Sequence, residues 1–218
     1  MVSLDLSIMN HSPAVARVMR RLLDEFEQRT RIHVNLQILN WDVGKTEFTH
    51  AAIYHLGPDV SEVATTWVAD LIAMNALRAF KQQEISRIGQ PSDFVAASWA
   101  ASQLYGDDLA WAVPWLSETY MIYYRKDLLQ KADIGEAEAF ETHERVGETA
   151  RLLAQSGVSI PVELSMNWDQ FGVLHALASW VWGAGVDFCE VEGKHVMVDQ
   201  PDALAAIRAY FGLMKHLS

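Results

Sequence analysis

The chain has 218 residues, half of them apolar and 21% charged, which is the make-up of a folded protein with a sizeable core. Its net charge of −11 excludes a protein that grips nucleic-acid phosphates, since Lys and Arg cluster no further than Arg20-Arg21 and Arg125-Lys126. No apolar span approaches the ~20 residues of a membrane helix.

Val2 to Met9 alternates apolar and polar residues, the period of a half-buried strand. Asn10-His11 follows, then Ser12-Pro13, which predicts a helix cap with proline at the first helical position. That helix runs to about Thr30, with Val15, Val18, Met19, Leu22, Leu23 and Phe26 on one face. His33 to Leu39 alternates again and predicts a second strand. Trp41-Asp42 closes it, and a helix over about Lys45 to Leu56 follows. After the Gly57-Pro58 turn comes a short strand, Asp59 to Val63, and Thr65-Thr66 before an apolar helix from Trp67. Alternating strands and helices of this kind imply parallel strands joined by right-handed crossovers.

Ile85 to Leu104 predicts one or two further helices, and Leu109 to Val113 a fourth strand that Pro114 stops. A polar link carrying Trp115, Ser117, Glu118 and Thr119 leads to an aromatic strand, Tyr120 to Tyr124. Two strand-like runs joined in this way read as a crossing between lobes. The expected division is a first lobe over residues 1–113, a hinge over 114–124 and a second lobe over 125–218. In the second lobe the pattern predicts a helix from Thr142 to Gln155, an edge or bulged strand from Val158 to Leu164, and an apolar helix from Gln170 to Trp182. A hairpin-like piece, Val186 to Val198, precedes a closing amphipathic helix from Ala203. Cys189 cannot form an internal disulfide and reads as a small buried hydrophobe.

In open parallel sheets, ligands bind beyond the carboxyl ends of the strands. The residues falling there are Asn10, His11, Trp41, Asp42, Thr65, Thr66 and Trp67, with Trp115 and Glu118 in the hinge. Asn167, Trp168, Trp180 and Trp182 are the candidates of the second half. Aromatic faces cover the C–H side of a sugar ring while carboxylates and amides meet its hydroxyls, so this set points to carbohydrate. Each residue also has a plainer role: Asp42, Thr65 and Thr66 as helix caps, Trp180 as core. Enzyme signatures are weak. There is no GxSxG, no glycine-rich phosphate loop and no HExxH, and His50 and His55 lie five apart, off a common helical face. No cofactor or metal is expected. A paired-carboxylate glycosidase is the residual enzyme reading, with no pair singled out by the sequence.

The run VPWLSETYMIYYRKDLL resembles the hinge signature of extracellular solute-binding proteins of the sugar-transporter class, the maltose-binding-protein-like group. Arg125 stands where that signature usually has Asn. The stretch PDVSEVATTWVADLIAMNAL resembles the family's Pro-Asp-Val strand with its binding-loop Trp and helix. The stretch from Trp180 resembles its glycine turn, Gly-Lys hairpin and closing helix. Phe140 to His143 departs from the family's Pro, Thr and Trp before a helix. The resemblance implies an α/β, type II periplasmic-binding-protein-like fold of two hinged lobes with parallel-rich sheets, here with the second lobe unfinished.

The resemblance further implies a non-enzymatic component of an ABC importer that captures a sugar or oligosaccharide by hinge closure and delivers it to permease subunits. The ligand positions carry over to Trp41, Asp42, Trp67 and Trp115, and to Asn10, Glu118, Trp168 and Trp182. A periplasmic or extracellular location, with a lipoprotein anchor, is implied as well. The N-terminus lacks the basic-then-apolar pattern of a signal peptide. Either the signal has been removed or the domain is a cytoplasmic sensor or scaffold of the same fold. Family members are nearly twice this length, so the chain reads as a fragment or as a shortened member, and an unfinished lobe would favour self-association.

Overall fold

The computed structural model describes residues 2–164, 172–190 and 193–216. The chain divides into two compact units, Met1–Ser117 and Glu118–Ser218.

The first unit is built on a three-stranded parallel sheet in the order β2-β1-β3, with β1 at Ser3–Met9, β2 at His33–Leu39 and β3 at Val60–Ser61. The alternation in β1 and β2 sets their register. Leu4 lies beside Val34, Leu6 beside Leu36 and Ile8 beside Ile38, so one face is apolar throughout. Helix α1 (Val15–Thr30) crosses between these strands, with Met19 as its buried residue. It begins two residues beyond Pro13, because Ser12 Oγ accepts from the Ala14 amide and spends those residues in a turn. Val18 and Leu22, on the shoulder of the predicted stripe, stay exposed.

The opposite sheet face is polar at its amino end and apolar at its carboxyl end. Asn35 Nδ2 donates to Asp5 Oδ1 at 2.8 Å, and Ser7 Oγ meets Ser61 Oγ at 3.0 Å. Further along, Met9 and Leu39 join Phe48 and Leu71 in a core that Val63, Trp67, Met74 and Leu77 cover. Phe48 comes from α2 (Trp41–Tyr54) and Leu71 from α3 (Val68–Ala73). A 3-10 turn, Thr65–Trp67, precedes α3. The apolar run after Trp67 ends as a helix at Ala73, with Asn75 in the left-handed region beyond it. Helices α4 (Gln82–Ile88) and α5 (Ala96–Ala100) complete the unit.

The predicted strand over Leu109 to Val113 is absent. Ala110 O accepts from Phe80 N at 2.8 Å and Trp111 N donates to Ser102 O at 2.9 Å. Both partners lie in irregular segments, so the run is pinned at two points but has no ladder to join.

The second unit is helical among the described residues, with α6 at Lys126–Lys131, α7 at His143–Gln155, α8 at Gly172–Gly183 and α9 at Pro201–Gly212. Thr142 caps α7 by accepting from the Arg145 amide at 3.2 Å, and Pro201 opens α9 at its first turn. Tyr210 of α9 is fully buried against Trp180 of α8, with centroids 5.6 Å apart and rings at 68°. A second cluster joins Leu129, Ala139 and Leu153, with Phe140 and Val158 against it.

Tyr120 to Tyr124 and Val158 to Leu164, both predicted as strands, are not strands. Tyr120, Met121, Ile122, Tyr123 and Tyr124 are all exposed, and a β-pattern without a neighbouring strand has nothing to pair with. Among its described residues the hairpin-like piece holds one antiparallel bridge, Cys189 to Val196, and Cys189 is exposed rather than buried.

Candidate functional site

The carboxyl ends of β1, β2 and β3 meet at one place in the first unit, and polar side chains tie them together. Asn10 N donates to Leu39 O at 2.8 Å and Asn10 Nδ2 to Asn40 Oδ1 at 3.1 Å, bridging the loops after β1 and β2. Glu62 N donates to Ser7 O at 2.8 Å, so the residue after β3 is held beside β1. Its carboxylate, 8% exposed, accepts from Met9 N at 2.8 Å through Oε2 and meets His11 Nε2 at 2.6 Å through Oε1.

An aromatic line runs from this polar end into the core. The His11 ring stands edge-on to Trp41, with centroids 5.5 Å apart at 72°. Trp41 meets Trp67 at 5.8 Å and 61°, and Trp67 meets Phe48 at 6.1 Å and 55°. Exposure falls along the line from Trp41, at 40%, to Phe48, at 6%. Trp41 is therefore anchored on one side and open on the other, the condition for a stacking platform. The local reason is that α2 starts at Trp41 with Asn40 as its cap residue, so the Trp projects from the first helical position. Gly44, one turn on, lets the Trp67 ring and the Met9 side chain lie close against the helix.

Asn10, Trp41, Asp42 and Trp67 thus all lie at this strand-end face. Asp42 sits in the first turn of α2, exposed and without a capping bond. The alternative cap role for Asp42 fails because Asn40 occupies that position. Trp115 is 54% exposed at the end of the first unit. In the second unit Glu118 is exposed, and Trp182, also exposed, meets Phe188 edge-on at 6.1 Å and 88°. Trp180 is half-buried, stacked on His143 at 4.5 Å and 15° and edge-on to the buried Tyr210, as the packing role expects. Asn167 and Trp168 lie outside the described residues.

Glu62 and Asn40 join the site without a signal in the sequence. The apolar-polar run reads as strand through Val63, which hides Glu62 inside it, whereas β3 ends at Ser61 and frees the next side chain to turn back on β1. Among the described residues no group of three or more His, Cys, Asp or Glu is placed to hold a metal ion. No described helix is long and apolar enough to cross a membrane.

Comparison with known proteins shows the family and the fold. The family model for bacterial extracellular solute-binding proteins matches residues 12–214. No curated protein matches the sequence. Among solved structures, the sugar-binding protein MalE of Xanthomonas citri superposes with a TM-score of 0.80 at 19% identity, over 98% of this chain and 52% of its own. The GacH receptor of Streptomyces glaucescens, described unliganded and with acarbose, gives 0.73 at 18% identity, over 100% of this chain and 53% of its own. A solute-binding protein of Agrobacterium vitis with bound D-mannitol gives 0.70 at 20%, over 100% and 51%. The chain thus spans about half the length of the structures it matches, and shares their α/β, type II periplasmic-binding-protein fold. With a family match over nearly its whole length, the chain belongs to the bacterial extracellular solute-binding proteins.

Proposed function

We propose that the chain is the ligand-capturing part of an ABC importer that takes a sugar or oligosaccharide. The observation that carries this is Trp41, anchored on Trp67 and open to solvent where three strand ends bring Asn10, Asp42 and Glu62 together. A pyranose laid on the exposed Trp41 face would bury its C–H side there and turn its hydroxyls to the amides and carboxylates. The relatives' printed ligands, acarbose and D-mannitol, are polyhydroxylated and support the same chemistry.

Within this reading Trp115 and Glu118, with Trp168 and Trp182, supply further contacts as a second lobe closes on the bound sugar. Ligand then shifts an open–closed equilibrium by its preference for the closed state, and permease subunits recognise that state. The family's description as extracellular supports action outside the cell, and in this reading a lipoprotein anchor holds the protein at the membrane. Calorimetry of the chain with maltose, maltotriose, trehalose and cellobiose tests the reading. Binding of one of them, weakened about tenfold or more by Trp41→Ala through loss of stacking and burial, is the expected result. Heat-free titrations with every sugar would defeat it.

A further inference from the structure

We propose that His11 contacts the ligand directly, its Nδ1 accepting a hydrogen bond from a hydroxyl of a sugar ring seated on Trp41, with Glu62 as the residue that positions it. This rests on the sugar reading of the Trp41 face.

The chemistry starts at Glu62. Its side chain is 8% exposed and both oxygens are engaged, Oε2 by the Met9 amide and Oε1 by His11 Nε2. A carboxylate only accepts, so Nε2 is the donor of the 2.6 Å bond. In a neutral imidazole a proton on Nε2 leaves Nδ1 as an acceptor. Nδ1 has no hydrogen-bond partner among the described residues, and the side chain is 27% exposed. The ring is held at two points, by the Glu62 bond and by its edge contact with Trp41. Its backbone is held too, since Met9 before it is fully buried and Asn10 is bridged to Asn40.

A sugar stacked on Trp41 presents its C–H side to the indole and its hydroxyls around the rim. The histidine stands at that rim, with its centroid 5.5 Å from the Trp41 ring. A tie between β1 and β3 would need only Nε2. A ligand contact needs the other nitrogen, and this separates the two roles.

The test uses the whole chain and the sugar of the above panel that binds best. His11→Phe keeps a ring edge beside Trp41 and removes both nitrogens; it is expected to lower affinity about five- to tenfold, the worth of one lost hydrogen bond. Among monodeoxy analogues of that sugar, one should bind the wild type more weakly yet bind His11→Phe no worse than the parent sugar does. Long-range 15N spectra of the free chain should show His11 protonated at Nε2. Glu62→Gln, which can donate to Nε2 while still accepting from Met9 N, should move the proton to Nδ1 and lower affinity with it. Full affinity in His11→Phe, or no deoxy analogue whose deficit vanishes in that variant, overturns the contact while leaving the sugar reading standing. A wild type that binds no sugar overturns the sugar reading, and the contact falls with it.

Discussion

Gly44 offers a test of how tightly the site is built into the core. A Cβ at this position would lie 2.7 Å from Met9 Cε, 3.2 Å from Trp67 Cη2 and 3.5 Å from Met9 Sδ. Gly44 is inside α2, so Gly44→Ala brings a helix-propensity gain of about 0.8–1.0 kcal/mol. Against this stands overpacking, which costs about 1–3 kcal/mol in a close-packed core. A methionine end yields readily where there is room, but Met9 is fully buried among Leu39, Phe48 and Leu71. Trp67 is backed by Phe48 and cannot retreat without disturbing Trp41. The clash therefore offsets the propensity or outweighs it, and Gly44→Ala should destabilise by up to about 2 kcal/mol, the difference of those terms. Urea unfolding followed by far-UV circular dichroism measures it, and a changed tryptophan emission should accompany it. Combining it with Met9→Ala should cost less than the sum of the single changes, because the second change removes the obstructing atoms. A Gly44→Ala chain stabilised by the full propensity gain would refute the reasoning and show that the Met9–Trp67 packing gives freely.

Thr149 is buried and its Oγ1 donates to Ala139 O at 2.8 Å, joining α7 to the segment before it. Thr149→Val keeps the shape and strands that carbonyl, for an expected loss of about 1–3 kcal/mol in the same urea assay. Tyr124 Oη donates to Glu136 at 2.8 Å and Lys126 Nζ pairs with it at 3.0 Å. These contacts, Tyr124 first, hold the Glu136 carboxyl below its ordinary value. A depressed carboxyl stabilises above its unfolded-state pKa, and that contribution disappears as pH falls through the folded value. An NMR titration of the side-chain carboxyl should place Glu136 below a free glutamate, with Tyr124→Phe returning it toward normal. The exposed run from Tyr120 to Tyr124 should drive self-association of the chain, and Tyr123→Lys should reduce it in sedimentation velocity. Unchanged sedimentation would show that the run is not the contact.

The candidate site was legible in part, by residue type and by place. Alternation in β1 and β2, with Gly57-Pro58 before β3, placed Asn10, Trp41 and Trp67 near strand ends because a two-residue period needs only near neighbours. The Asp42 position was visible, while the precise start of α2 was not, since Asn40 takes the cap through backbone shape without a side-chain bond. Glu62 stayed hidden because its partners, Met9 and His11, are more than fifty residues away in the chain. The failed strands at Leu109 to Val113, Tyr120 to Tyr124 and Val158 to Leu164 share one cause. Each has strand-like residues, but a strand exists only where a second segment offers its backbone.

The sequence by itself determined the parallel α/β start, the long helices α1, α7 and α9, and the family through its Pro-Asp-Val and Val-Pro stretches. These rest on local periodicity and caps, which neighbouring residues specify. Only the tertiary structure decided that Trp180 packs on His143 while Trp41 is open, and that Gly44 makes room for Trp67. It alone shows Glu62 turned back onto β1 to hold His11. Those outcomes depend on which distant segments come to lie against a side chain, and no local pattern carries that information.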